Sequence, residues 1–272
     1  MSTLTGAGEG SKVGALLRDW RQRRHLSQLD LALEAEVSAR HLSFVETGRS
    51  RPSAEMIQHL AERLDVPLRE RNKLLLAAGY APGYGQRALE EPEMGPVRDA
   101  IDQVLAGHHP YPAVVVDRHW GMVAGNRAIA LLTAGAAEHL LQPPVNVLRL
   151  ALHPEGLAPR IANLAEWREH LLDRLDRHAA ATCDPALAAL HTELVRLPGD
   201  DPPSRADLAA GEIAVPLKLR HPEGELAFIS TVTIFGTAID VTVSELAIEA
   251  FYPADTRTAQ FTRAWAESLP PQ

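Results

Sequence analysis

The sequence predicts an α+β protein with an all-helical amino-terminal domain and a carboxy-terminal antiparallel sheet covered by helices. Apolar residues recur at helical spacing in five segments before residue 80, whereas alternating apolar residues typical of strands dominate after residue 214. A stretch rich in Pro and Gly separates the two patterns. The chain has 272 residues, which is enough for two separate cores. We expect residues 1–80 to form the first domain, 81–96 a linker and 97–272 the second domain.

The charge is divided unevenly along the chain. Residues 1–80 hold 12 Lys/Arg and 10 Asp/Glu, and the remainder holds 15 and 25, for a net charge of −8. A nearly neutral head with clustered arginines can bind phosphate locally, while an acidic body disfavours non-specific DNA binding. Cys183 is the only cysteine, and the first eleven residues lack the apolar core of a signal peptide. Since no apolar run is long enough to span a bilayer, we expect a cytoplasmic protein.

Residues 27–53 have the signals of a helix, a tight turn and a second short helix. Ser27 is placed to cap the first helix, with Asp30 returning a bond to the cap. Ser38 is placed to cap the second, from about Ala39 to Glu46. Apolar periodicity and caps predict three more helices in this domain, at about residues 12–25, after Ser53 and after Pro67.

The second short helix has an apolar face and an outward polar face. Leu42 and Val45 share the apolar face, and a helix of eight residues must dock such a face on a neighbour to be stable. On the other face, Arg40 can fork onto guanine, Ser43 can bond a base or phosphate, and Phe44 can contact a thymine methyl. An exposed Arg beside an exposed Phe is also ordinary surface. The residues predicted to contact DNA are Gln28, Ser38, Ala39, Arg40, Ser43, Phe44, Arg49 and Arg51.

The carboxy-terminal region begins with a hairpin, continues through several helices and ends in three strands and a helix. Its long helix, from about residue 159 to 181, carries Glu166, Glu169, Asp173, Arg174 and Arg177, which we expect to form a solvated face. A bulge is expected near Ser244 and Glu245, where alternation slips. This order is the layout of a PAS-like sensor. The predicted strands are 113–117, 120–124, 215–219, 226–235 and 240–252, and the last helix is 256–268.

Apolar residues of the sheet and long helix could line a slot for an apolar ligand, with Arg149 or His153 near its mouth for a carboxylate head-group. The alternative for each apolar residue is a filled core. The residues predicted to bind ligand are Trp120, Met122, Leu148, Arg149, His153, Trp167, Leu171, Phe228, Val232 and Ile234.

The sequence resembles XRE-family, lambda-repressor-like helix-turn-helix regulators through Ser27-Gln28, Val37-Ser38, Leu42-Ser43 and Pro52-Ser53. It is similar to their MmyB-like subgroup through motifs such as 146–154, 235–240 and 250–255, so that the resemblance covers about residues 12 to 262. It implies a bond between Arg21 and Glu46 and a PAS-like, MltR-type ligand-binding domain. The implied ligand is apolar and fatty-acid-like, and the sequence itself identifies no cofactor with certainty. Glu36 departs from the family, which has Gly before Val37.

The same sequence is compatible with functions other than that of a ligand-responsive regulator. A haem- or flavin-holding sensor and an interaction protein that no longer binds DNA remain open. His108, His109, His170 and His178 lack the spacing of helical metal ligands, so no metal site is expected. Without a phosphate loop or nucleophile elbow, an enzyme is not expected. Because one small head makes few base contacts, we expect a homodimer on a two-fold DNA operator and no membrane partner.

Overall fold

The computed structural model describes residues 6–199 and 215–269. In this part of the chain, residues up to Ala88 group with Thr237–Ser244 in one compact unit, the head. Leu89–Gly236 and the residues from Glu245 onward form the second unit. The predicted linker is thus divided between the two units, and Thr237–Ser244, which the sequence places in the second domain, groups with the head. None of the described helices is long and apolar enough to cross a membrane.

Among the described residues up to Ala88 there are five helices, as predicted. The three predicted serine caps are confirmed: Ser27, Ser38 and Ser53 each accept a hydrogen bond from the backbone N–H three residues later. These bonds satisfy amides that a helix leaves unpaired in its first turn, which is why the helices begin where they do. The helices are α1 (Gly6–Arg23), α2 (Gln28–Glu34), α3 (Ala39–Glu46), α4 (Ala54–Arg63) and α5 (Leu68–Ala77).

Helix α1 packs closely against α3. A Cβ at Gly14 would lie 2.2 Å from the carbonyl oxygen of Val45, so only glycine allows this approach. Both Leu42 and Val45 are buried, which confirms that the apolar face of α3 docks on its neighbours.

The turn between α2 and α3 contains a strained residue. Glu36 has φ of +53°, in the left-handed region that favours glycine. Glu36 therefore occupies a position whose backbone conformation favours the glycine that the family has there.

The second unit is built on a five-stranded antiparallel sheet in the order β2-β1-β5-β4-β3. Strand β3 pairs with only the first three residues of β4, with Leu217 opposite Phe228. The register shifts once, between Val115 and Val116 of β1. The strands are β1 (Ala113–Val116), β2 (Met122–Gly125), β3 (Leu217–Leu219), β4 (Leu226–Ile234) and β5 (Ala247–Pro253).

Helices cover parts of both faces of this sheet. One face packs, through Val114, Phe228 and Phe251, against the helices that follow β2. The other face packs, through Val115 and Ile248, against the helix that precedes β1. The α+β class is therefore confirmed. The remaining helices are α6 (Gly95–Gly107), α7 (Ile129–Thr133), α8 (Glu138–Leu141), α9 (Val147–Leu152), α10 (Leu164–Thr182), α11 (Pro185–Val195), α12 (Val241–Ser244) and α13 (Thr256–Ser268), with 3-10 turns at Pro92–Met94 and Ala158–Arg160.

The prediction of a bulged strand from 240 to 252 was wrong in its first part. Residues 241–244 form the single helical turn α12, and β5 begins only at Ala247. The Asp240 carboxylate accepts a hydrogen bond from Thr242 N at 2.9 Å, which favours a turn over an extended strand.

Polar and apolar contacts join segment 237–244 to the rest of the head. Asp240 Oδ2 lies 3.3 Å from Arg87 Nη1, and the Val241 N–H donates to the Gly85 carbonyl oxygen at 2.8 Å. The Val241 side chain is fully buried. Along the chain, this segment connects β4 to β5.

Candidate nucleic-acid interface and ligand cavity

A buried ion pair fixes α3 to α1. Arg21 donates to the two carboxylate oxygens of Glu46 at 2.7 and 2.9 Å, and the two residues are only 7% and 6% exposed. Gln28 Nε2 donates to the same carboxylate at 2.7 Å. The bond implied by the family resemblance is confirmed, and three helices meet at one side chain.

The electrostatics keep this pair charged. Burial alone would raise the pKa of the Glu46 carboxyl, but hydrogen bonds from Arg21 and Gln28 outweigh it and lower the pKa below its ordinary value. The bond to Glu46 raises the pKa of the Arg21 guanidinium. A charged fork of two parallel bonds sets an orientation as well as a distance, so α3 is held with a defined face outward.

The outward face of α3 carries the predicted base-reading side chains. Arg40 is exposed, and its guanidinium carbon lies 5.4 Å from the centre of the half-buried Phe44 ring. Ser43, which precedes Phe44, is half-buried, and Ser38 is exposed at the amino end of α3. Stacking on Phe44 restrains the long Arg40 side chain, which lowers the entropy lost when it binds a base.

Two other residues predicted to contact DNA have structural partners in the head. The Gln28 amide is engaged by Glu46, as described above. Arg51 Nη2 donates to the Ala78 carbonyl oxygen at 2.5 Å, and its guanidinium lies over the Tyr80 ring. Arg51 thus ties the loop after α3 to the end of α5. Both arginines are exposed, but the Arg51 guanidinium is engaged by Ala78 and Tyr80. Of the two loop arginines, Arg49 is the better placed for a phosphate.

An apolar cavity of about 60 Å³ lies in the second unit, between the sheet and helices α7, α9 and α10. Four residues predicted to bind ligand line it, namely Met122, Leu148, Trp167 and Leu171. One charged side chain also lines it, Glu249 of β5, which the sequence analysis missed. The available signal was a carboxylate within the apolar run 246–251.

The remaining residues predicted to bind ligand do not line this cavity. Val232 and Ile234 are 45% and 68% exposed, and they lie beyond the three residues of β4 that pair with β3. Phe228 is fully buried in the neighbouring core. Trp120, also buried, packs instead against a charged side chain of α10.

Arg149 and His153, the two residues predicted to bind a carboxylate head-group, have other partners in the structure. Arg149 donates to both carboxylate oxygens of Glu193, at 2.6 and 2.8 Å, on the surface. The atoms of His153, His139 and Glu155 that could coordinate a metal ion lie within 4.8 Å of one another. However, His153 Nδ1 accepts the Glu155 backbone N–H at 3.0 Å. This bond occupies the Nδ1 lone pair of His153.

Arg174 does not belong to a solvated face, contrary to the sequence analysis. Its Nη1 donates to Glu249 Oε1 at 2.9 Å, and its guanidinium carbon lies 4.5 Å from the centre of the Trp120 ring. Burial, and then the Arg174 charge, lower the pKa values of His170 and His178, one helical turn to either side. Both shifts favour the uncharged imidazoles, and Arg174 is the cation that bonds Glu249.

Comparison with known proteins assigns both units. Residues 97–264 match the MmyB-like transcription regulator ligand binding domain, and residues 17–71 match the helix-turn-helix family. The ImmF control region 10 kDa protein of Bacillus phage phi105 is 35% identical over 60 residues, which are 22% of this chain and 67% of the phage protein.

Two solved structures are similar to short parts of the chain. The restriction-modification controller protein C.AhdI from Aeromonas hydrophila is 33% identical, with 23% of this chain and 96% of the controller covered and a TM-score of 0.22. The clp gene regulator ClgR from Corynebacterium glutamicum is 26% identical, with 29% and 92% covered and a TM-score of 0.24. The MmyB-like family matches residues 97–264, which is more than half of the chain. This chain therefore belongs to the MmyB-like transcription regulators, with a DNA-binding helix-turn-helix head and a ligand-binding domain.

Proposed function

We propose that this chain is a sequence-specific regulator that reads a two-fold operator as a homodimer and responds to a small apolar ligand. The observation that carries the DNA-binding half is the orientation of α3. Its apolar side is docked, the buried Arg21–Glu46 pair fixes its rotation, and Arg40 and Phe44 face outward. A fixed helix with an exposed guanidinium is what readout in the major groove requires.

The experiment is selection of bound fragments from a random duplex pool by the full chain, followed by footprinting of the enriched sequence. The proposal expects one enriched, two-fold symmetric sequence bound with a steep salt dependence. Binding to all duplexes with equal affinity, or no binding at all, would favour the interaction protein instead.

The homodimer follows from the size of the head. One helix of eight residues contacts few bases, and doubling about one helical turn of DNA apart is the usual solution. We therefore predict that light scattering on the full chain with its operator gives two chains per duplex. One chain per duplex at saturation would contradict the dimer.

The ligand-binding half of the proposal rests on the apolar cavity. A fatty-acid-like chain suits its lining in polarity, since fourteen of the fifteen described residues that line it are uncharged. Its volume of about 60 Å³ is below the roughly 150 Å³ that holds a benzene molecule, so the walls must move apart to admit a longer ligand. Haem and flavin are larger still, which weighs against the cofactor-holding alternative. An absorption spectrum of the purified chain tests that alternative directly.

Movement of the walls supplies a route for regulation. Glu249 and Phe251 of β5 line the cavity, and the chain just before β5 is segment 237–244, which is packed in the head. A ligand that displaces β5 therefore pulls on the head through a covalent connection of a few residues. Only a ligand that binds the displaced arrangement better can shift the equilibrium in this way.

A further inference from the structure

The charged group in the apolar cavity indicates which polar end its ligand carries. Glu249 is 5% exposed and, among the described residues, is the one charged residue in the lining. An ionised carboxylate can accept about four hydrogen bonds. Among the residues that the structure describes, Arg174 is its only hydrogen-bond partner, and that bond reaches Oε1. Glu249 Oε2 is therefore left to accept a further bond.

The cation that balances Glu249 does not itself line the cavity. Arg174 bonds the carboxylate and stacks on the Trp120 ring, and neither Arg174 nor Trp120 is among the lining residues. A ligand bound in the cavity therefore contacts the Glu249 carboxylate and not the Arg174 guanidinium. Because charges interact strongly where water is excluded, the sign of the group that faces the ligand decides selectivity.

We propose that the cavity prefers a ligand whose buried end donates a hydrogen bond to Glu249, such as an alkyl alcohol or amine, over the carboxylic acid of equal length. This inference rests on the proposed ligand-binding function. An ionised acid would place a second carboxylate beside Glu249 without a proton between them. A plain hydrocarbon would bury Oε2 without a partner, which also costs free energy. A hydroxyl or ammonium donor satisfies it.

The test uses the full chain and three unbranched probes of eight carbon atoms each: 1-octanol, octylamine and octanoate. Isothermal titration calorimetry at pH 7 measures each Kd. We expect the alcohol and the amine to bind at least about tenfold more tightly than octanoate, which corresponds to about 1.4 kcal/mol. Octanoate that binds as tightly as the alcohol and the amine, or more tightly, overturns the inference and leaves the proposed ligand sensing in place. If none of the three binds, the proposed sensing fails and this inference fails with it.

Variants of the pair identify the group responsible. In Glu249→Gln the amine should lose affinity and octanoate should gain it, so that their ratio falls by about tenfold or more. Because that variant leaves Arg174 unpaired, the double variant Arg174→Gln/Glu249→Gln serves if the single one does not fold. It should bind amine and acid with similar Kd values. A double variant that keeps the wild-type preference overturns the inference.

The chain offers a matched control. Arg149 and Glu193 form a pair of the same composition on the surface, outside the cavity lining. Arg149→Gln/Glu193→Gln should leave all three Kd values unchanged. A shift of the octanoate Kd in this control as large as that in the Glu249 variants would place the head-group at Arg149 and overturn the assignment to Glu249.

Discussion

Arg40 is the side chain on which specific DNA recognition is expected to depend most. It is exposed on α3 and ordered by Phe44. We predict that Arg40→Ala lowers affinity for the selected operator by about 1–3 kcal/mol and relaxes one operator position, because a forked contact to a base edge is lost. A mobility-shift assay on matched and mutated duplexes measures both effects. Arg196→Ala, an exposed arginine of the second unit, is the control. An unchanged footprint and affinity in Arg40→Ala would show that this face does not read bases.

Glu36 has a backbone conformation that is unfavourable for a residue with a side chain. Its φ of +53° is unfavourable for any side chain with a Cβ, by roughly 1–2 kcal/mol. We predict that Glu36→Gly stabilises the head by up to about 1 kcal/mol, since glycine relieves this strain but adds entropy to the unfolded chain. Urea denaturation compares the two proteins. Glu34→Gly, an exposed residue in α2, is the matched control and should destabilise.

At the scale of the elements, the orientation of α3 depends on the charge of Glu46. Its pKa is lower folded than unfolded, so its stabilising contribution is present above the ordinary glutamate range and is lost as pH falls through the folded value. We predict that the free energy of unfolding falls on acidification, and falls less steeply in Glu46→Gln. Near pH 7 that variant should be less stable by about 1–3 kcal/mol.

Denaturation of both proteins by urea at several pH values measures this difference. The Arg21 pKa is raised from an already high value, so its titration lies far above this window. Parallel pH profiles for the wild type and Glu46→Gln would mean that the carboxylate does not titrate with folding.

At the scale of the whole molecule, segment 237–244 is the expected route from ligand to head. We predict that Asp240→Ala leaves the Kd for 1-octanol unchanged but reduces the change in operator affinity that 1-octanol causes. The variant removes the bonds to Arg87 and Thr242 that hold the segment. Calorimetry and mobility shifts with and without the alcohol separate binding from response. Asp176→Ala, an exposed aspartate on α10, is the control. A full response in Asp240→Ala would exclude this route.

Most helix ends predicted for the head lie within a residue or two of the observed ends, although α1 begins at Gly6 and not near residue 12. The capping serines and the i, i+3, i+4 apolar spacing act over one turn of chain, so α3 could be delimited at Ala39–Glu46 from local residues alone. The family resemblance added the Arg21–Glu46 bond, which joins residues 25 apart. It also added the glycine normally found before Val37.

The polar groups that bond to each other inside the protein could be identified only from the folded structure. Arg174 and Glu249 are 75 residues apart, and helical periodicity placed the arginine among solvated charges. Local spacing cannot show which neighbour a long side chain meets after packing. The same reason explains why Gln28 and Arg51 have partners in the head, why Val232 and Ile234 lie outside the cavity, and why Val241 is buried with the head. Each depends on contacts between distant segments, which form only when the chain has folded.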